Sequence, residues 1–138
     1  MPAPHAPAIS PAISPAISPA ICPSITQRPV AYHDALDTRS LQTVTAVVIH
    51  CTELPDLEMA QDYAGRVHYS RGTGNCGHYY IDRDGSIQQY VAVDRIAHHV
   101  RGRNADSIGI ELGNTGRYPE GFHSRHQAMS EPYPAPQM

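Results

Sequence analysis

Two residues carry the chemistry this sequence offers at first reading, His50 and Glu111. His50 closes the run Val47-Val48-Ile49-His50-Cys51-Thr52-Glu53, where Val44, Val47, Val48 and Ile49 are β-branched and nearly continuous, the composition of a buried strand. A histidine at the end of such a strand sits at the sheet edge, where ligands and metals are held. The plain alternative is a core histidine satisfied by a backbone carbonyl. Glu111 interrupts another apolar run, Ser107-Ile108-Gly109-Ile110-Glu111-Leu112. Burying a bare carboxylate costs several kcal/mol, so it must be paired, metal-bound or functional. An ion pair with Arg95 or Arg103 is the structural alternative. If His50 and Glu111 line one groove, they make a metal-plus-base pair: a zinc-bound water, its pKa lowered toward about 7, attacks a carbonyl and the carboxylate shuttles its proton.

The elements that must position these residues follow from pattern. Residues 44–51 form the first strand. Thr52 to Asp56 make a turn, and Asp56 can cap a helix starting at Leu57. Leu57, Ala60, Tyr63, Ala64 and Val67 fall at helical spacing and give it one apolar face. The Gly-rich stretch Arg71 to Gly77 does not join a strand to a helix, so it is a poor phosphate cradle. His78-Tyr79-Tyr80-Ile81 and Ser86 to Val91 flank Asp84-Gly85, a hairpin signal. In the run from Ser107 to Leu112, alternation puts Ile108, Ile110 and Leu112 on one face and Gly109 and Glu111 on the other. Strand, helix, hairpin and strand together predict an α/β or α+β fold, a mixed central sheet with flanking helices.

Bulk properties narrow the function classes. A chain of 138 residues is one domain at most. Net charge is −3, and the ten basic residues are all arginine, scattered rather than striped, which argues against nucleic acid as a partner. Nine histidines, some paired as His98-His99 and His123/His126, favour titratable or metal-binding chemistry. Cys22, Cys51 and Cys76 form no CxxC pair and no even disulfide framework. No stretch reaches the roughly 18–20 apolar residues of a membrane span. No basic-then-apolar leader opens the chain, so the expectation is a cytoplasmic protein, or a periplasmic one if the natural start lies elsewhere. From Pro7 to Pro23 the chain repeats Pro-Ala-Ile-Ser; a proline every fourth residue blocks helix and ladder alike. Residues 1–28 are therefore expected to be a disordered tail and 29–138 the domain.

Four blocks occur in order: Val48-Ile49-His50-Cys51-Thr52-Glu53; Gly77-His78-Tyr79-Tyr80-Ile81-Asp82-Arg83-Asp84-Gly85-Ser86-Ile87; Arg95-Ile96-Ala97-His98; and Ser107 to Asn114. From about Val44 to about Tyr133 the chain resembles the zinc-dependent N-acetylmuramoyl-L-alanine amidases, whose fold is shared with T7-lysozyme-type amidases and peptidoglycan-recognition proteins. The resemblance implies that His50 is the first zinc ligand and Glu111 the general base. It also implies that His98 lines the substrate groove, with Ala97 in place of the family's tryptophan. Zn²⁺ is the implied cofactor, and peptidoglycan or a muropeptide the implied partner.

One departure stands out. The family completes its zinc site after a long helix, with a second histidine and then an Asp or Cys, usually with a lysine between. Here Glu131-Pro132-Tyr133-Pro134 resembles the lead-in to that helix and Met138 follows shortly after, so the domain is expected to be C-terminally incomplete. His123 and His126 are weak substitutes, matching no family ligand. Loss of the helix would expose an apolar patch on one sheet face. Two functions follow from the resemblance: zinc-dependent hydrolysis of the amide between N-acetylmuramic acid and L-alanine, or muropeptide binding without cleavage by an inactive module or remnant.

Overall fold

Alternation along two six-residue strands organises the molecule, a computed structural model that describes residues 24–118 and 129–138. Strand β1 is Ile25–Gln27, β2 Ala46–Cys51, helix α1 Leu57–Ala64, β3 Tyr79–Ile81, β4 Ile87–Gln89 and β5 Ser107–Leu112. The short strands β6, Arg117–Tyr118, and β7, Met129–Ser130, pair with each other. The main sheet has the order β1-β4-β3-β5-β2, mixed as the sequence predicts: β3 and β4 are antiparallel, and the other neighbours run parallel. Asp84-Gly85 turns the β3–β4 hairpin, with Gly85 at φ +85°, a conformation glycine adopts without a Cβ penalty.

Register fixes what each face carries. Val48 pairs with Gly109 and His50 with Glu111, while Tyr80 of β3 also pairs with Glu111. Side chains directly opposite share a face, so His50, Glu111, Gly109, Ser107 and Tyr80 lie together. Helix α1 buries Leu57, Ala60 and Ala64 in one core with Tyr32, Leu36, Tyr80, Tyr90, Val91 and Ala97. Tyr80 stacks on Tyr90 with ring centres 4.0 Å apart. Asp56 caps α1 as expected, its carboxylate accepting from Met59 N at 2.8 Å. The helix stops at Gly65, one turn short of the predicted face, leaving Val67 exposed.

The opposite face differs from expectation at β2. The strand reads as buried, yet it is an edge strand, and Val47 and Ile49 are 57% and 64% exposed. Among the described residues these two side chains form an exposed apolar pair on that face of the sheet. A second difference concerns the tail. β1 pairs in parallel with β4, Arg28 N donates to Gln89 O at 2.9 Å, and Val30 N donates to Tyr90 O at 3.1 Å. The fold therefore already includes residues 25–28, which lie within the expected tail. The proline period ends at Pro23, and Ser24-Ile25-Thr26-Gln27 contains nothing that blocks a ladder. The repeat itself lies outside the described residues.

The C-terminal segment closes over the ends of β3 and β5. Glu131 forms a bidentate ion pair with Arg83 and accepts from Thr115 N at 2.6 Å and Thr115 Oγ1 at 2.8 Å. These partners hold the Glu131 carboxyl down at about 2, Arg83 contributing most. Gln137 is buried, its Nε2 donating to Ile81 O at 3.0 Å and Gly113 O at 2.9 Å. The segment ends in a single 3₁₀ turn, Ala135–Gln137.

Candidate active site

Strand β5 delivers Ser107, Gly109 and Glu111 to one face, and β2 brings His50 beside Glu111. The loop before β5 lays a third group on them. Asn104 Oδ1 accepts from His99 N at 3.0 Å and Val100 N at 2.8 Å, fixing the backbone from which His99 projects. Arg39 holds the same loop from behind, donating to Asn104 O at 3.0 Å, Ser107 O at 2.7 Å and Val93 O at 2.9 Å. The His99 ring lies directly over Gly109, where an added Cβ would sit 2.5 Å from His99 Cγ. A strand glycine facing a site marks such a close approach. Fully buried His78 locks this glycine in place: its Nδ1 accepts from Gly109 N at 3.0 Å and its own N donates to Gly109 O at 2.8 Å.

A chain of hydrogen bonds sets the tautomers. Ser107 Oγ donates to Arg103 O at 2.6 Å, so toward His99 Nε2, 3.1 Å away, it can only accept. His99 therefore carries its proton on Nε2 and turns the lone pair of Nδ1 to His50 Nε2, 3.2 Å away. Burial lowers the pKa of both imidazoles, and the neighbouring His50 helps bring His99 down to about 4. Both are neutral at pH 7.

Among the described residues, no arginine forms an ion pair with Glu111. Arg95, a candidate partner, pairs with Asp34 at 3.5 Å and donates to Leu36 O, while Arg103, the other candidate, pairs with Asp106. The structural alternative of an ion pair is thus overturned, because both guanidinium groups face away on their own loops. Burial without a compensating partner pushes the Glu111 carboxyl up to about 7. Gly77 makes room for it: a Cβ there would lie 2.9 Å from Glu111 Cγ and 3.2 Å from Gly109 O.

Glu111, His98 and His99 open on a cleft of about 760 Å³ between α1 and the loop at 98–104, also lined by Tyr63, Tyr69 and Asn75. His98, the residue the sequence pointed to for the groove, lines this cleft and meets Tyr69 edge-on at 5.4 Å between ring centres. The residue in contact with His50 is its neighbour His99, for which the sequence suggests no role. The signal was present in Gly109, which needs a bulky neighbour to occupy the space above it.

The zinc expected from the family can be tested on the donors present. Two nitrogens on one tetrahedral zinc, at bonds of 2.0–2.1 Å, stand about 3.3 Å apart. His50 Nε2 and His99 Nδ1, 3.2 Å apart with rings at 78°, fit one edge of that tetrahedron. No group of three His, Cys, Asp or Glu side chains able to hold a metal occurs among the described residues. His123 and His126 lie outside the described residues.

Residues 40–138 match the family described as N-acetylmuramoyl-L-alanine amidase. No curated protein matches the chain. Among solved structures, bumblebee PGRP-SA is similar at 20% identity and TM-score 0.52, covering 76% of this chain and 68% of that one. A mutant endolysin from Bacillus subtilis is similar at 19% identity and TM-score 0.51, with coverage of 68% and 64%. The N-acetylmuramoyl-L-alanine amidase LysC from Clostridium intestinale URNW is 22% identical, with TM-score 0.43 and coverage of 67% of this chain. This chain spans 61% of the length of LysC.

Proposed function

Because the chain belongs to the N-acetylmuramoyl-L-alanine amidase family, we propose that it hydrolyses the amide between N-acetylmuramic acid and L-alanine in peptidoglycan or its fragments, with zinc at His50. The observation that supports this reading is Glu111, a cleft carboxylate with no ion-pair partner among the described residues, set opposite His50 and raised by burial to about 7. A carboxyl raised by burial toward neutrality can take a proton from an attacking water and return one to the leaving amine. Zinc, when bound, supplies polarisation of the scissile carbonyl and of that water. His98 and Tyr69 form a wall against which the substrate lies. Tyr80, whose hydroxyl accepts from Gly77 N at 3.1 Å, keeps the floor beneath Glu111 rigid.

The test is incubation of the protein with purified muropeptides and zinc, with mass spectrometry of the products. Free stem peptide beginning in L-alanine, lost in Glu111→Gln, supports the reading. No release by the unmodified protein overturns it. The second reading, muropeptide binding without cleavage, is favoured by one observation: the third protein donor of a catalytic zinc is not among the described residues. Retention of muropeptides on immobilised protein, without release of stem peptide, supports that reading instead.

A further inference from the structure

We infer that His99 is a metal ligand in this chain, supplying through Nδ1 the second protein nitrogen to an ion held by His50 Nε2. Nothing in the family pattern calls for this, since there the histidine of the corresponding block lines the groove and the second nitrogen comes from beyond the long helix.

Geometry carries the inference in three steps. First, the two nitrogens converge at 3.2 Å, the edge length of a tetrahedral site, with the rings nearly perpendicular at 78°. Second, His99 is held in the required tautomer from outside. Ser107 Oγ is committed as a donor to Arg103 O, so His99 Nε2 must carry the proton and Nδ1 must carry the lone pair. This is the outer-shell arrangement that orients ligating histidines, with the non-ligating nitrogen donating to an oxygen. Third, the ring has no freedom to leave: Gly109 lies beneath it, and Asn104 pins its backbone on the other side. Ser107 is accordingly a positioning residue.

Loading the ion requires only that the proton now on His50 Nε2 move to His50 Nδ1. The tautomer changes and no proton is lost. Glu111 is the partner of His50 in the ladder.

The inference rests on the reading of this cleft as the family's metal-bearing site, and its test uses the metal alone, so metal binding and amide hydrolysis fail independently. The full chain is freed of metal, then titrated with Co²⁺ by visible absorption and with Zn²⁺ by calorimetry. Expected is one ion per chain, with affinity lowered roughly tenfold or more in His99→Gln and in His50→Gln, lowered about tenfold in Ser107→Ala, and unchanged in His98→Gln. Circular dichroism shows whether each variant folds. A second measurement needs no variant: in ¹⁵N-labelled protein, Zn²⁺ shifts the Nδ1 resonance of His99. Overturning results are wild-type affinity in folded His99→Gln, an unmoved His99 Nδ1 resonance at saturating Zn²⁺, or no ion bound by the unmodified chain.

Discussion

Replacing Glu111 by glutamine stabilises this protein above pH 7 and leaves its stability nearly unchanged near pH 4. In the fold, burial holds the carboxyl at about 7, against 4.5 for an ordinary glutamic acid. Between those values the folded chain binds a proton that the unfolded chain has released. Stability attributable to this group therefore falls as pH rises from 4.5 to 7, and the full cost is present above 7. At 1.36 kcal/mol per pH unit, the gap corresponds to roughly 3 kcal/mol. Glutamine has nearly the same shape and carries no charge, so it removes the cost. With a urea m-value of about 1.5 kcal/mol/M for a domain of this size, the unfolding midpoint at pH 8 rises by about 2 M. The assay is urea denaturation of both proteins at pH 4 and pH 8, with EDTA present so that no cation offsets the carboxylate. An equal or lower midpoint for Glu111→Gln at pH 8 refutes the reasoning, because it means the carboxylate has a compensating partner or stays fully solvated. The same substitution is expected to abolish hydrolysis, so activity and stability trade against each other at this position.

Gly109→Ala places a Cβ 2.5 Å from His99 Cγ and must drive the imidazole off the sheet. The expected cost is about 1–3 kcal/mol, with loss of the His50–His99 contact seen in the imidazole ¹⁵N spectrum while circular dichroism is retained. Glu131→Gln weakens the clamp to Arg83 and Thr115 by about 2 kcal/mol at pH 7. Since the folded Glu131 pKa lies at about 2, below the ordinary 4.5, that difference persists above pH 4.5 and fades as pH falls toward 2, measurable by urea unfolding across that range. Ile49→Lys, on the exposed face of the β2 edge, lowers self-association in light scattering and changes stability by no more than about 0.5 kcal/mol.

What the sequence shows plainly is local. The Asp84-Gly85 hairpin, the Asp56 cap and the alternation that separates Ile108 and Ile110 from Gly109 and Glu111 each depend on residues within a few positions of one another, and each holds in the structure. What it hides is set at a distance. Whether Val47 and Ile49 are covered depends on what lies against the sheet, and a β-branched run reads the same at an edge as in the middle. Strand β1 carries too few residues to show a period, and only its pairing with β4 identifies it. At the site, Glu111 was legible because a carboxylate in an apolar strand is anomalous. The choice between His98 and His99 was not, because adjacent residues on an irregular loop point in different directions that no periodicity encodes. Arg39 and Asn104, which fix that direction, bind backbone atoms and leave no pattern in their own neighbourhood.

The position of β5 has a consequence for how the chain reaches this structure. Strand β2 is complete at Cys51, and its partner among the described strands begins only at Ser107. The β3–β4 hairpin can close by itself within about 1–10 μs, but β5 must enter between β2 and β3 and close two parallel ladders at once. Such long-range parallel pairing is the slow step of folding. During synthesis, therefore, β2 waits without its β5 ladder partner until residues 107–112 emerge. Glu111, Ser107 and Gly109 arrive on the inserting strand itself. Assembly of the candidate site and closure of the two ladders are then a single event, and a chain that lacks β5 in the sheet lacks the site as well.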